Sequence, residues 1–201
     1  MYTLVKPLTV RKELLLRGLK IFTLEDFERI FATKSHQTKY FLEEQVDEGF
    51  LVRIKKGLYT LKTDIPSEEE IANALYKPSY ISFEYALAYY NRIPEMPTHI
   101  TSATTKPTRL FTTNDRSYSY TTIKREAYTG YSLVKTGNKA FLIADVEKAI
   151  ADYLYYVTIG KRVYNDRFVV SNINKEKLLM YVSLFQRESL AELVKKLYAN
   201  N

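Results

Sequence analysis

The stretch VDEGFLVRIKKGLYTL, residues 46–61, decides how the first third of the chain is read. It opens acidic, passes Gly49, becomes apolar and basic, passes Gly57, and closes in aromatic and branched residues. Glycine ends helices because it adopts the left-handed backbone without a Cβ penalty, so Gly49 is read as a helix stop. FLVRI (50–54) and LYTL (58–61) are rich in β-formers and are separated only by KKG, a hairpin spacing. Three cations, Arg53, Lys55 and Lys56, therefore gather near a hairpin tip, with Gly57 permitting the tight turn. Tyr59 and Leu61 are expected to anchor that hairpin to a core.

Working outward, the preceding residues read as three helices. LTVRKELLLRG (8–18) suits a first helix stopped by Gly18, and IF (21–22) a short strand. Thr23 opens TLEDFERIF, and its Thr-x-x-Asp pattern is a variant of the capping box. Leu24, Phe27, Ile30 and Phe31 share one face of that helix. A break at ATK leads to SHQTKYFLEEQVDEG, which Thr33 or Ser35 can cap. At 100° per residue, Leu42 and Val46 group with Thr38 and Gln45 on the packing side, while Gln37, Tyr40 and Glu44 point away beside His36 and Asp47.

Helix, helix, helix and basic hairpin is the order of a winged helix-turn-helix. The outward face of the third helix is neutral-polar at its start and acidic at its end, so only its first two turns suit the major groove. Ser35, His36, Gln37 and Tyr40 are the candidate base readers, since Gln bonds adenine through two atoms. Lys39, Arg53, Lys55 and Lys56 are the candidate phosphate contacts.

Residues 61–70, LKTDIPSEEE, are polar, contain Pro66 and change the charge density, so a domain boundary is placed between residues 63 and 64. Residues 1–63 hold 12 Lys+Arg against 8 Asp+Glu, and residues 64–201 hold 18 against 15, within a total of +7. An excess of this sign favours acidic partners such as nucleic acid. The 18 tyrosines suit half-buried faces whose hydroxyls reach water or a partner.

The second part mixes helices and strands. Ser67 and Glu70 form a capping box ahead of Ile71, Ala74 and Leu75, and SFEYALAYYN (82–91) is a short helix. THITSATT (98–105) and SYSYTTIK (117–124) read as strands, and YSLVK and KAFLIA flank TGN as a second hairpin. DVEKAIADYLYYV (145–157) carries apolar residues at helical spacing, and two further helices close the chain. The expected fold is mixed α+β: a winged helix-turn-helix over 1–63, then an α/β domain over 64–201 with a small sheet flanked by helices.

Several chemistries are excluded or unsupported. The chain has no cysteine, hence no disulfide and no thiolate metal site. There is no phosphate-binding glycine loop and no nucleophile elbow, and His36 and His99 lack metal-ligand spacing. Asp145, Glu147, Lys148 and Asp152 could be read as a Mg²⁺-dependent nuclease cluster. On a helix, however, Asp145 reads as a cap and Lys148 as the i, i+4 partner of Asp152. No catalytic residue, cofactor or metal is expected. No apolar run approaches the roughly 18 residues of a membrane span, and the charged N-terminus does not read as a signal peptide, so a cytoplasmic protein is expected.

FTLEDFERIF, LVRIKKGLYTL, YISFEYALAYYNRIPEMPTHITSATTKPTRLF and IADVEKAIADYLYY occur in the order seen in AbiEi-type antitoxins of type IV toxin–antitoxin systems, and the chain resembles that family over most of its length. The matched positions are Lys55, Lys56, Gly57, Leu58 and Tyr59 in the hairpin, then Tyr80, Ile81, Ser82, Ala86, Leu87 and Tyr90 in the second part. Ile143, Ala144, Glu147, Lys148, Ala149, Ile150 and Asp152 follow in the long helix. The resemblance implies a transcriptional repressor that binds the operator of its own operon as double-stranded DNA. It implies an adjacent nucleotidyltransferase-like toxin, counteracted through the second domain without a stable complex. Solitary regulators share the architecture, and a helix-helix-helix-hairpin unit also serves as a protein-interaction module.

Overall fold

The computed structural model describes residues 5–113 and 116–199 and is a mixed α+β protein. The chain divides into two compact units, 1–75 and 76–201.

In the first unit, α1 (Pro7–Leu16), β1 (Ile21–Thr23), α2 (Leu24–Phe31), α3 (Ser35–Asp47), β2 (Leu51–Lys55), β3 (Leu58–Leu61) and α4 (Glu68–Leu75) follow in order. The strands form an antiparallel sheet in the order β1-β3-β2, so the strand between the first two helices pairs with the far arm of the hairpin. Phe27 is the centre of the core. Its ring lies 4.5 Å from Phe31, 5.3 Å from Phe41 and 6.2 Å from Phe22, with Val10, Leu14, Leu42, Leu51, Tyr59 and Leu61 completing the cluster. Tyr59 and Leu61 anchor the hairpin as expected.

Local chemistry explains where the helices begin and end. The Thr23 hydroxyl accepts from Asp26 N at 3.1 Å, and Asp26 Oδ2 accepts from Thr23 N at 3.0 Å, the reciprocal capping box. α3 closes at Gly49, φ +74°, where Phe50 N donates to Gln45 O and Gly49 N to Val46 O. These two bonds satisfy carbonyls that the helix end would leave bare, and they turn the chain directly into β2.

The expected boundary after residue 63 falls inside this unit, because α4 belongs to it. Ser67 and Glu70 make the expected capping box, and Glu70 also pairs with Lys20 Nζ at 3.4 Å. Lys55 Nζ donates to Leu75 O at the end of α4. The proline-containing segment is thus a connection within the first unit.

The second unit is built on a six-stranded sheet of order β6-β7-β5-β4-β9-β8. Its strands are β4 (Ser79–Ile81), β5 (His99–Thr104), β6 (Arg109–Thr113), β7 (Arg116–Thr122), β8 (Tyr131–Thr136) and β9 (Lys139–Ala144). β4 with β9 and β5 with β7 are parallel, and the other neighbours are antiparallel. The helices are α5 (Phe83–Tyr89), α6 (Val146–Thr158), α7 (Lys175–Ser183) and α8 (Glu188–Ala199). β4 and β6 join the strands read from the sequence. β4 is only three residues long and wholly buried, so no alternation marks it.

Replacing Thr23 by alanine removes the cap of α2 while leaving the core intact. The expected loss is about 1 kcal/mol in the urea unfolding free energy. An unchanged midpoint would show that Asp26 alone holds the helix start.

Candidate nucleic-acid interface

The third helix presents two distinct faces. Thr38, Phe41, Leu42 and Gln45 are buried at i, i+3, i+4 and i+7. Ser35, His36, Lys39 and Tyr40 are exposed on its first half, Tyr40 by 65%. Glu43 and Asp47 carry the same exposed side toward the C-terminus, and Glu48 is exposed just beyond it. The outward face therefore passes from polar and basic to acidic, and an anion meets favourable chemistry only on the first turns.

Gln37 does not sit on that face. It is half-buried, and its Oε1 accepts from Lys34 N at 3.3 Å, which satisfies one of the free N–H groups at the helix start. Its side-chain carbonyl thus serves the helix start in this structure. The cap itself is neither Thr33 nor Ser35. Lys34 occupies the N-cap position, and Thr33 instead hydrogen-bonds the Thr38 hydroxyl at 2.7 Å.

The hairpin separates its three cations. Arg53 pairs across the sheet with Tyr59 and Lys55 with Leu58, with a bulge between them. Tyr59 and Leu58 are neighbours in β3 and face opposite sides, so Arg53 and Lys55 also do. Arg53 reaches solvent, whereas Lys55 turns inward to Leu75 O. Lys55 is thus corrected from a phosphate contact to a tie between the hairpin and α4. Lys56 is exposed at the turn beside Gly57, whose φ of +79° suits the two-residue loop. Of the candidate residues, Ser35, His36, Lys39, Tyr40, Arg53 and Lys56 are exposed.

Charge is distributed differently from the sequence division. With α4 included, residues 1–75 contain 12 Lys+Arg and 12 Asp+Glu, a net of zero. Residues 76–201 contain 18 and 11, so the second unit holds the entire +7.

Of the cluster around α6, Glu147, Lys148 and Asp152 are buried in the second unit and Asp145 is half-buried. Lys148 and Asp152 are fully buried and paired through Nζ and Oδ1. Asp152 Oδ2 also accepts from the Ser82 hydroxyl at 2.7 Å and the Tyr80 hydroxyl at 3.0 Å. Burial, then the Asp152 charge, raises the Tyr80 pKa well above the usual phenol range and keeps it a hydrogen-bond donor. The Lys148 ammonium lies 4.9 Å from the Phe185 ring centroid and 5.9 Å from that of Tyr80. An exposed i, i+4 pair would contribute only tenths of a kcal/mol, but this one is dehydrated and committed to its partners.

Asp145 does not cap α6 through its side chain. Its Oδ2 accepts from Tyr181 at 3.0 Å and Lys177 at 2.9 Å, while Glu147 receives Asn174 N at 3.3 Å and Lys177 at 3.4 Å. These acids fasten α7 to the start of α6. Among the described residues, no three or more His, Asp or Glu side chains group to hold a metal ion, and no helix is long and apolar enough to cross a membrane.

No protein-family model matches the chain, and no curated protein matches it either.

Lys148→Met leaves the Asp152 carboxylate buried without its cation, with an expected loss of about 3–5 kcal/mol in urea unfolding. Lys148→Met combined with Asp152→Asn removes both charges and recovers part of that loss. A double variant no more stable than the single one would show that the charge pairing is not the source of the effect.

Proposed function

We propose that the first unit is a winged helix-turn-helix that binds double-stranded DNA, and that the protein is a transcriptional repressor of its own operon. The order of elements, with the sheet order β1-β3-β2, carries this reading. It leaves the first half of α3 exposed through Ser35, His36, Lys39 and Tyr40, and gives a hairpin with Arg53 and Lys56 in solvent. A helix start of this composition fits a major groove, and cations on an adjacent hairpin neutralise the flanking phosphates.

The acidic second half of α3 sets the limit of insertion. Glu43, Asp47 and Glu48 repel phosphate, so the helix enters by its N-terminal turns. His36 and Tyr40 supply hydrogen-bonding and apolar contacts to base edges, and Lys39 contacts the backbone. A protein-binding surface on the same elements would not require this polarity along the helix.

The resemblance to AbiEi-type antitoxins extends the proposal. The second unit would counteract a nucleotidyltransferase-like toxin encoded beside this gene, and Ser82, Lys148 and Asp152 would hold its fold together. The residues of resemblance on α6 are mostly interior, which supports a common architecture for that unit and not a catalytic site.

Arg53→Ala with Lys56→Ala should weaken binding to a duplex from the upstream region of the gene. The slope of log K against log salt should fall by about 0.9 for each phosphate that is no longer neutralised. Lys55→Ala should instead lower stability and leave that slope unchanged, and equal slopes for all three proteins would remove the hairpin from the interface. For the antitoxin role, co-expression of the full chain should restore growth to cells making the neighbouring toxin. Growth arrest despite normal levels of the protein would leave a regulator without that role.

A further inference from the structure

The positive excess of the second unit is concentrated in one part of its sequence. Between Glu95 and Glu126 stand Lys106, Arg109, Arg116, Lys124 and Arg125, against a single acid, Asp115. This span supplies β5, β6 and β7, which form one end of the sheet with β6 at its edge. Lys124 is engaged inside the unit, donating to Phe185 O at 2.6 Å. Lys106 and Arg109 are exposed. Lys77 is exposed too, and the pairing of Ser79 with Thr104 sets Lys77 and Lys106 beyond the same end of the β4–β5 ladder.

Under these cations lie three aromatic rings. Tyr76 is 5.5 Å from Phe111 and 5.2 Å from Tyr120, and Phe111 is 5.6 Å from Tyr120. Tyr120 is fully buried and supports the other two, which reach the surface half-exposed. The Tyr76 hydroxyl donates to Pro107 O at 3.1 Å, fixing its ring. Lys106 Nζ sits 5.3 Å from the Tyr76 centroid, and the Arg109 guanidinium 5.0 Å from that of Phe111. Thr108 and Thr112, exposed in the same stretch of chain, have their hydroxyls bonded to Thr122 and Ser117.

This arrangement has the two components that recognise an unpaired strand. Aromatic faces accept stacked bases of any sequence, and cations beside them track the phosphates. A duplex hides its base faces and would use only the cations. An acidic peptide would use the cations, but it lacks the regular alternation of planar bases and phosphates that matches rings set beside cations. We propose that the β6 edge of the second unit binds single-stranded nucleic acid, with Tyr76 and Phe111 as the stacking surface and Lys77, Lys106 and Arg109 as the phosphate contacts. A base stacks on each ring in place of the cation that covers it, and the displaced cation moves outward onto phosphate. This activity is separate from operator binding by the first unit and does not rest on it.

The test measures fluorescence anisotropy of the full chain with oligo(dU), oligo(rU) and a duplex of its upstream region. Lys106→Glu with Arg109→Glu, both at exposed positions, should weaken the single-stranded probes roughly tenfold or more and leave the duplex nearly unaffected. Phe111→Leu keeps an apolar side chain, and should weaken them several-fold without flattening the salt slope, because stacking carries no charge. Unaltered thermal melting checks that each variant is folded. Oligo(dU) against oligo(rU), which differ only in the 2′-hydroxyl, tells which sugar the surface prefers, and equal binding shows that it reads only bases and phosphates. The proposal is overturned if neither oligomer binds, if the variants bind them like the wild type, or if duplex affinity falls in parallel. Arg53→Ala with Lys56→Ala serves as the contrast: it should weaken the duplex alone. Loss of duplex binding there, with no single-strand binding anywhere, would leave the operator reading standing and remove this one.

Discussion

A buried carboxylate, Asp152, organises the second unit. It accepts from Tyr80 in β4, from Ser82 at the start of α5, and from Lys148 one turn earlier in its own helix. Dehydrating an isolated charge is costly, so the site is stable only when all three donors are in place. Their placement fixes β4, α5 and α6 relative to one another. The remaining aromatic packing extends from there: Tyr131 of β8 stacks on Tyr80 at 4.5 Å, and Phe185 lies under the Lys148 ammonium. A single polar centre thus joins the middle strand, an edge strand and the helical layer.

The first unit relies on different physics. Its interior is aromatic and aliphatic around Phe27, and its polar groups are used locally, at the Thr23–Asp26 cap and the Gly49 helix end. Its net charge is zero, yet it holds the surface proposed to meet DNA. Local arrangement compensates for that neutrality. Half of its acids lie on the second half of α3 and on α4, while Lys39, Arg53 and Lys56 stand exposed elsewhere.

Much of the architecture was legible in the residues. The 3.6-residue spacing in TLEDFERIF and DVEKAIADYLYYV, the glycines at 49 and 57, and the two capping boxes each locate an element through a local rule. Exposure of His36, Lys39 and Tyr40 follows from helical geometry alone. Gln37 escaped the same rule because its side chain turns back onto its own helix start, a choice that periodicity does not encode. Lys55 escaped because a bulge changes the face on which it lies, and no residue in LVRIK announces a bulge. The domain boundary was misplaced for a similar reason. Pro66 and a polar run mark a bend, but only the contacts of Glu70 and Leu75 show to which unit α4 belongs.

By itself, then, the sequence determined the identity and order of most elements, because helix periodicity, caps and turn glycines act within a few residues. It also determined that cations gather near a hairpin and that acids end α3. Tertiary structure alone decided which of those cations reach solvent, that Lys148 and Asp152 lie in the interior, and that Tyr76, Phe111 and Tyr120 converge from separate segments beneath Lys106 and Arg109. The reason is range: strand pairing, bulges and burial depend on residues tens of positions apart, whose meeting is set by the packing of the whole unit.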